Sequence, residues 1–74
     1  MEYITKSIVV FMNLDAIAIL NQAEDMEVIE VHHMRISQQI PTMVEFEIEV
    51  EAEHYENLMT ALNMETLAFE LIRD

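Results

Sequence analysis

Glu45, Glu47, Glu49, Glu51 and Glu53 occupy every second position of the run Glu45-Phe46-Glu47-Ile48-Glu49-Val50-Glu51-Ala52-Glu53. An extended chain sends alternate side chains to opposite faces, so a strand here is apolar on one side and carries a row of carboxylates on the other. Neighbours in that row lie about 6.7 Å apart. Like charges at this spacing repel, and the row costs stability unless Lys6, Arg35 and Arg73 or a partner offset it. Carboxylates in equivalent surroundings do not divide into an acid and a base, because that division needs two different environments. What such a row suits is contact with something basic.

His32 and His33 add the other titratable chemistry. They are neighbours on a segment that reads as a strand, so they are expected on opposite faces, with one of them on the glutamate side. A cross-strand His and Glu pair there offsets repulsion between carboxylates, and it is also the chemistry of a pH sensor or of a metal site completed by Glu45 or Glu47. Offsetting repulsion is the simpler role, and no resident metal or other cofactor is expected. His54 has no convergent partners in the sequence. Catalysis is not expected either: the chain has no Cys, and Ser7, Ser37, Thr42 and Thr60 sit in no nucleophile motif. Glycine is also absent, which excludes a phosphate-cradling loop built on close backbone approach.

Composition narrows the class of partner. With 15 acidic residues against three Lys and Arg, the formal charge is −12. Nucleic-acid affinity arises chiefly from Lys and Arg displacing counterions, so direct binding to nucleic acid is excluded, and anionic membranes are disfavoured by the same sign. A basic protein, a metal ion or solubility alone is what this charge can serve. The apolar stretch from Ile8 to Leu20 is interrupted by Asn13 and Asp15, too often for a membrane span or an export signal, and the expected location is the cytoplasm. A chain of 74 residues that is 53% hydrophobic fills a small core and has apolar surface left over. Without disulfides or a Cys/His zinc site, self-association is the remaining stabilising device, and a homodimer is expected. The seven methionines, Met12, Met26, Met43, Met59 and Met64 among them, fall near element ends or on core faces and read as core and loop contacts.

The elements that position the row follow from periodicity. Tyr3 to Met12 is β-branched and aromatic, apolar on both faces towards its end, and reads as a central strand. Asn13 offers an N-cap oxygen to a helix from Leu14 to Gln22, whose apolar stripe is Ala16, Ile19, Leu20 and Ala23. A continuing strand through Ala16 to Ile19 is the weaker alternative, because of the two alanines and Asp15. Met26 to Ser37 and Met43 to Ala52 read as strands joined by a turn at Gln38 to Thr42, marked by Pro41. Tyr55, Leu58, Met59 and Leu62 mark a second helix, with Glu53 and Glu56 at its dipole-favoured start and Asn63 closing it in place of glycine. Thr66 to Ile72 is a last short strand.

Strand, helix, strand, strand, helix, strand is the split βαβ order of α+β ferredoxin-like domains, here a single domain: a four-stranded antiparallel sheet with both helices on one face and the first and third strands central. Val44, Phe46, Ile48 and Val50 then lie beneath the helices and the glutamates in the middle of the open face.

In this order of elements, and in Val28-Ile29-Glu30-Val31 and Phe46-Glu47-Ile48-Glu49-Val50, the stretch from Leu14 to Leu71 resembles small ACT-type regulatory domains. The resemblance implies a ferredoxin-like dimer, often one that binds amino acids. Where ACT domains carry Asp and Gly after the first strand, this chain has Asn13-Leu14-Asp15, and no binding residue carries over. In size, acidity and lack of catalytic groups the chain is also similar to small phage-encoded inhibitors of bacterial defence or nucleic-acid enzymes, such as anti-restriction and anti-CRISPR proteins. Two readings follow. One is a non-enzymatic inhibitor that docks Glu45, Glu47, Glu49 and Glu51, with Glu53 and Glu56 at the rim, on a basic protein surface. The other is an ACT-like regulatory or oligomerisation module, with or without a small metabolite, whose homodimer seam includes Val9 and Phe11.

Overall fold

The computed structural model describes residues 2–38 and 42–72. Its elements are β1 (Tyr3–Phe11), α1 (Leu14–Asp25), β2 (Ile29–Ile36), β3 (Met43–Glu51), α2 (Ala52–Glu65) and β4 (Ala68–Glu70). The strands form one antiparallel sheet in the order β2-β3-β1-β4, with β3 and β1 in the middle and both helices on one face. This is the expected α+β arrangement of ferredoxin-like type. The turn expected around Pro41 and the charge expected at Arg73 lie outside the described residues.

The core is built from one face of the sheet. Val44, Phe46, Ile48 and Val50 of β3 and Ile8 and Val10 of β1 pack against Ala16, Leu20 and Ala23 of α1 and against Leu58 and Leu62 of α2. These are the residues that the period of two on the strands and of 3.6 on the helices selects. Met43 and Met59 also fill space, whereas Met12, Met26 and Met64 are exposed near element ends.

Local chemistry sets the element ends. The Asn13 side-chain oxygen accepts the Ala16 N–H at 2.9 Å, capping α1 as predicted, and its amide donates to the Glu65 carbonyl at 3.1 Å, tying the start of α1 to the end of α2. Helix α1 continues to Asp25, three residues past its expected end. It closes with Val28 N–H on the Ala23 carbonyl and Glu27 N–H on the Glu24 carbonyl, the paired bonds of a Schellman motif. That motif wants glycine in the left-handed position, and Glu27 stands there with φ 62°.

Strand β3 ends one residue earlier than expected, at Glu51, because Ala52 already begins α2. At the far end, Asn63 closes α2 through its side chain rather than its backbone. Its oxygen accepts the Ala68 N–H at 3.1 Å and its amide donates to the Met59 carbonyl at 3.0 Å, while the helix runs on to Glu65.

A left-handed conformation costs a residue with a Cβ about 1–2 kcal/mol, part of which glycine returns as extra freedom in the unfolded chain. Glu27→Gly is therefore expected to stabilise the domain by about 0.5–1 kcal/mol. Urea unfolding of the two proteins measures it, and a destabilised variant contradicts the account of this helix end.

Candidate functional site

The open face of the sheet, opposite the helices, carries the glutamate row. In the β1–β3 register Tyr3 faces Glu51, Thr5 faces Glu49, Ser7 faces Glu47, Val9 faces Glu45 and Phe11 faces Met43. Strand β2 adds Glu30 opposite Glu49, His33 opposite Glu47 and Arg35 opposite Glu45. The four glutamates of β3 thus share one face of a central strand. They are half-buried rather than fully open: the side chain of Glu49 is 41% exposed, but those of Glu45 and Glu51 only 13% and 15%. Glu53 and Glu56 are exposed on α2 and do not continue the row, because the chain has turned from strand to helix between Glu51 and Ala52.

Three carboxylates of the row meet a nitrogen-bearing side chain, and the fourth has one as its cross-strand neighbour. Arg35 Nη2 lies 3.0 Å from Glu45 Oε1, His32 Nε2 lies 3.7 Å from Glu49 Oε1 and His54 Nε2 lies 3.7 Å from Glu51 Oε2, while His33 is the cross-strand neighbour of Glu47. Arg35 alone among these carries a permanent charge.

The two adjacent histidines depart from the expectation of opposite faces. The β2–β3 register shifts between Val31 and His33, an irregularity of β-bulge type that inserts an extra residue into β2. His32 reaches Glu49 and His33 pairs with Glu47, so both stand beside the glutamates. The partners of His32 are Glu49 and Glu30, rather than the expected Glu45 or Glu47. His54 also belongs to this group, on the first turn of α2, because Glu51 and His54 are separated by three residues across the strand-to-helix junction. That junction was the signal by which sequence reasoning could have found it.

Two further expectations are corrected. Val9 does point away from the helices, but it is only 3% exposed and sits beside Phe69 of β4, so it offers no surface to a seam. Phe11 and Phe69, at 42% and 38%, are exposed at this end of the face. Lys6 does not serve the row. It is in register with Ile48 on the helix side of β1, its Nζ 2.8 Å from Glu70 Oε1 and 5.2 Å from the centre of the Tyr55 ring. The Tyr55 hydroxyl is buried beside this bridge.

Comparison with protein-family models, with curated proteins and with solved structures finds no match to this chain. No helix among the described residues is long and apolar enough to cross a membrane.

Burial first, and then the charge of Glu70, push the Tyr55 phenol up from 10.0 to about 12. Below pH 10 both folded and unfolded chains hold this proton. Between pH 10 and about 12 the unfolded chain alone releases it, so stability falls as pH rises through that window. Tyr55→Phe is expected to flatten this alkaline decline in denaturant unfolding measured across the same pH range, and an unchanged slope contradicts the assignment.

Proposed function

We propose that this protein is a non-enzymatic interaction module that docks its carboxylate-bearing sheet face on a basic, nucleic-acid-binding surface of another protein and blocks it, in the manner of small phage anti-defence inhibitors. The observation that carries this reading is the alignment of Glu45, Glu47, Glu49 and Glu51 on one face of a central strand, with Arg35 the single permanent cation set against them among the described residues. Strands hold a binding row more rigidly than loops do, so little ordering entropy is lost on docking. Spacing of about 6.7 Å between carboxylates gives a lower charge density than duplex DNA, with one charge per about 1.7 Å, but the same sign and a linear layout. Such a row occupies a basic groove without being a substrate. Glu53 and Glu56 lie on the neighbouring helix and add to the field rather than to the row.

The apolar end of the face, with Phe11 and Phe69, extends the same surface. A basic partner flanked by apolar residues meets both parts, the acids steering approach and the rings slowing release. Steering of this kind is screened over about 8 Å at physiological salt, so association is fast at low salt and slows as salt rises.

The test is retention of a basic protein from source-cell lysate, at low and high salt, by the wild-type chain and by a variant with Glu45, Glu47, Glu49 and Glu51 all changed to Gln. Wild type retains it at low salt and loses it at high salt, and the variant stays folded but does not retain it. Equal retention by the variant rejects the reading.

One observation favours a second reading, an ACT-like regulatory module that binds a small metabolite. A cavity of about 340 Å³ opens between α1 and the β2 half of the sheet, lined by Leu20, Val31, Met34, Val44 and Phe46 with Asn21 at its edge. Its size and apolar walls are those of small-ligand sites. An apolar amino acid that fits is expected to raise the melting temperature in proportion to the logarithm of its concentration, and Met34→Trp, which fills the mouth, to cancel the shift. A flat response across a panel of such amino acids rejects this second reading.

A further inference from the structure

We infer that Glu30, His32 and Glu49 form a binding site for a first-row divalent transition-metal ion of the Zn2+ class. One ligand atom from each of the three lies within 4.8 Å of the other two. Glu30 and Glu49 are direct cross-strand partners on β2 and β3, and His32 Nε2 is 3.7 Å from Glu49 Oε1. The site does not depend on the docking role proposed above, and it uses a residue, Glu30, that the row does not contain.

The imidazole distinguishes this trio from the rest of the acidic surface. Two facing carboxylates alone would attract any cation weakly, and an all-oxygen set suits Ca2+ or Mg2+. A neutral imidazole nitrogen added to two carboxylate oxygens suits Zn2+, Ni2+ or Cu2+ and leaves the remaining positions to water. Alternation along β2 already places His32 on the face of the Glu30–Glu49 pair, and the register shift between Val31 and His33 leaves it there as the extra residue of the strand. Bulges are frequent beside functional sites.

The charge balance at this point is the second observation. Glu30 and Glu49 oppose each other directly, an arrangement that costs stability when no cation intervenes. Among the described residues the permanent cations are Lys6 and Arg35, and they are engaged with Glu70 and Glu45. A cleft next to the pair is lined by Glu24 and Glu27 as well as Glu30 and Glu49, with Tyr3 at its wall. Its field favours entry of a divalent cation. Tetrahedral Zn2+ places its ligand atoms about 3.3 Å apart, and Glu30 and His32 are exposed side chains.

Titration with Zn2+ alone, followed by calorimetry, tests the site. The expected result is one saturable site per chain. His32→Ala, Glu30→Gln and Glu49→Gln each weaken it by about 10-fold or more, while Glu53→Gln, which removes the same charge from an exposed position on α2, leaves it unchanged. In the wild-type protein Co2+ broadens the imidazole resonances of His32 and spares those of His54, a readout that does not rely on any variant folding. Ca2+ and Mg2+ do not compete at equal concentration. The inference is overturned if Zn2+ does not saturate, if Glu53→Gln weakens it as much as Glu49→Gln, if His32→Ala has no effect, or if Ca2+ competes equally.

Discussion

Strand β3 is paired along both edges, with β1 from Tyr3↔Glu51 to Phe11↔Met43 and with β2 from Ile29↔Val50 to Ile36↔Val44. Its strict alternation admits one register. A slip of one residue would carry Glu45, Glu47 and Glu49 under the helices and expel Phe46, Ile48 and Val50 into water. Burying several unpaired carboxylates costs far more than any local strain elsewhere in so small a domain. The hydrophobic face of β3 therefore locks the sheet, and every feature of the open face inherits its position from that lock: which glutamate meets Arg35, which meets a histidine, and where the apolar end begins.

Given this register, the electrostatics of the open face are a matter of partial shielding. The glutamates are not free in water, since neighbouring side chains cover Glu45 and Glu51, and they are not buried ion pairs either. Partial cover lowers the local dielectric, so repulsion along the row is stronger than it would be between exposed charges. The imidazoles supply hydrogen-bonding nitrogens and shape beside the carboxylates. Stability is thus given up at the open face and recovered on the opposite one, where Ile8, Ile48, Val50 and Leu62 are fully enclosed. A domain with a core this small has little stability to give up to four aligned acids on its central strand.

Much of this was legible in the sequence, and the parts that were not share a cause. The period of two in β3 and of 3.6 at Tyr55, Leu58, Met59 and Leu62 carries the element order, the sheet order and the core residues, because burial of one face is a property of a single segment. Asn13 as a cap was legible for the same reason, since the bond it makes to Ala16 is local. The misplaced features all depend on two segments at once. The bulge at His32 exists only relative to β3, and it places two neighbouring histidines on one side where alternation alone separates them. Lys6 reads as a cation for the acidic row until Glu70 of β4 and Tyr55 of α2 appear beside it. Val9 reads as surface until Phe69, far along the chain, is paired across from it. Glu53 left the row because a strand and a helix abut without a linker, a boundary that residue type does not mark when both sides carry Glu.

The open face that results is divided along the strand axis, and the division bears on what it can bind. Phe11 and Phe69 lie towards the start of β3, while Glu47, Glu49, Glu51 and Glu30, with Tyr3 beside Glu51, lie towards its end. Charge and apolar area contribute differently to a complex. Acidic groups at a rim raise the encounter rate and fall away with salt, whereas desolvated aromatic contacts set the lifetime and are insensitive to salt. A purely electrostatic mimic of a polyanion would be displaced by the polyanion itself, because its charge density is lower. On the proposed reading the aromatic end is therefore what allows a row of four carboxylates to hold a groove against nucleic acid: it adds contact that the competing phosphate backbone does not make, and it fixes the direction in which the row lies.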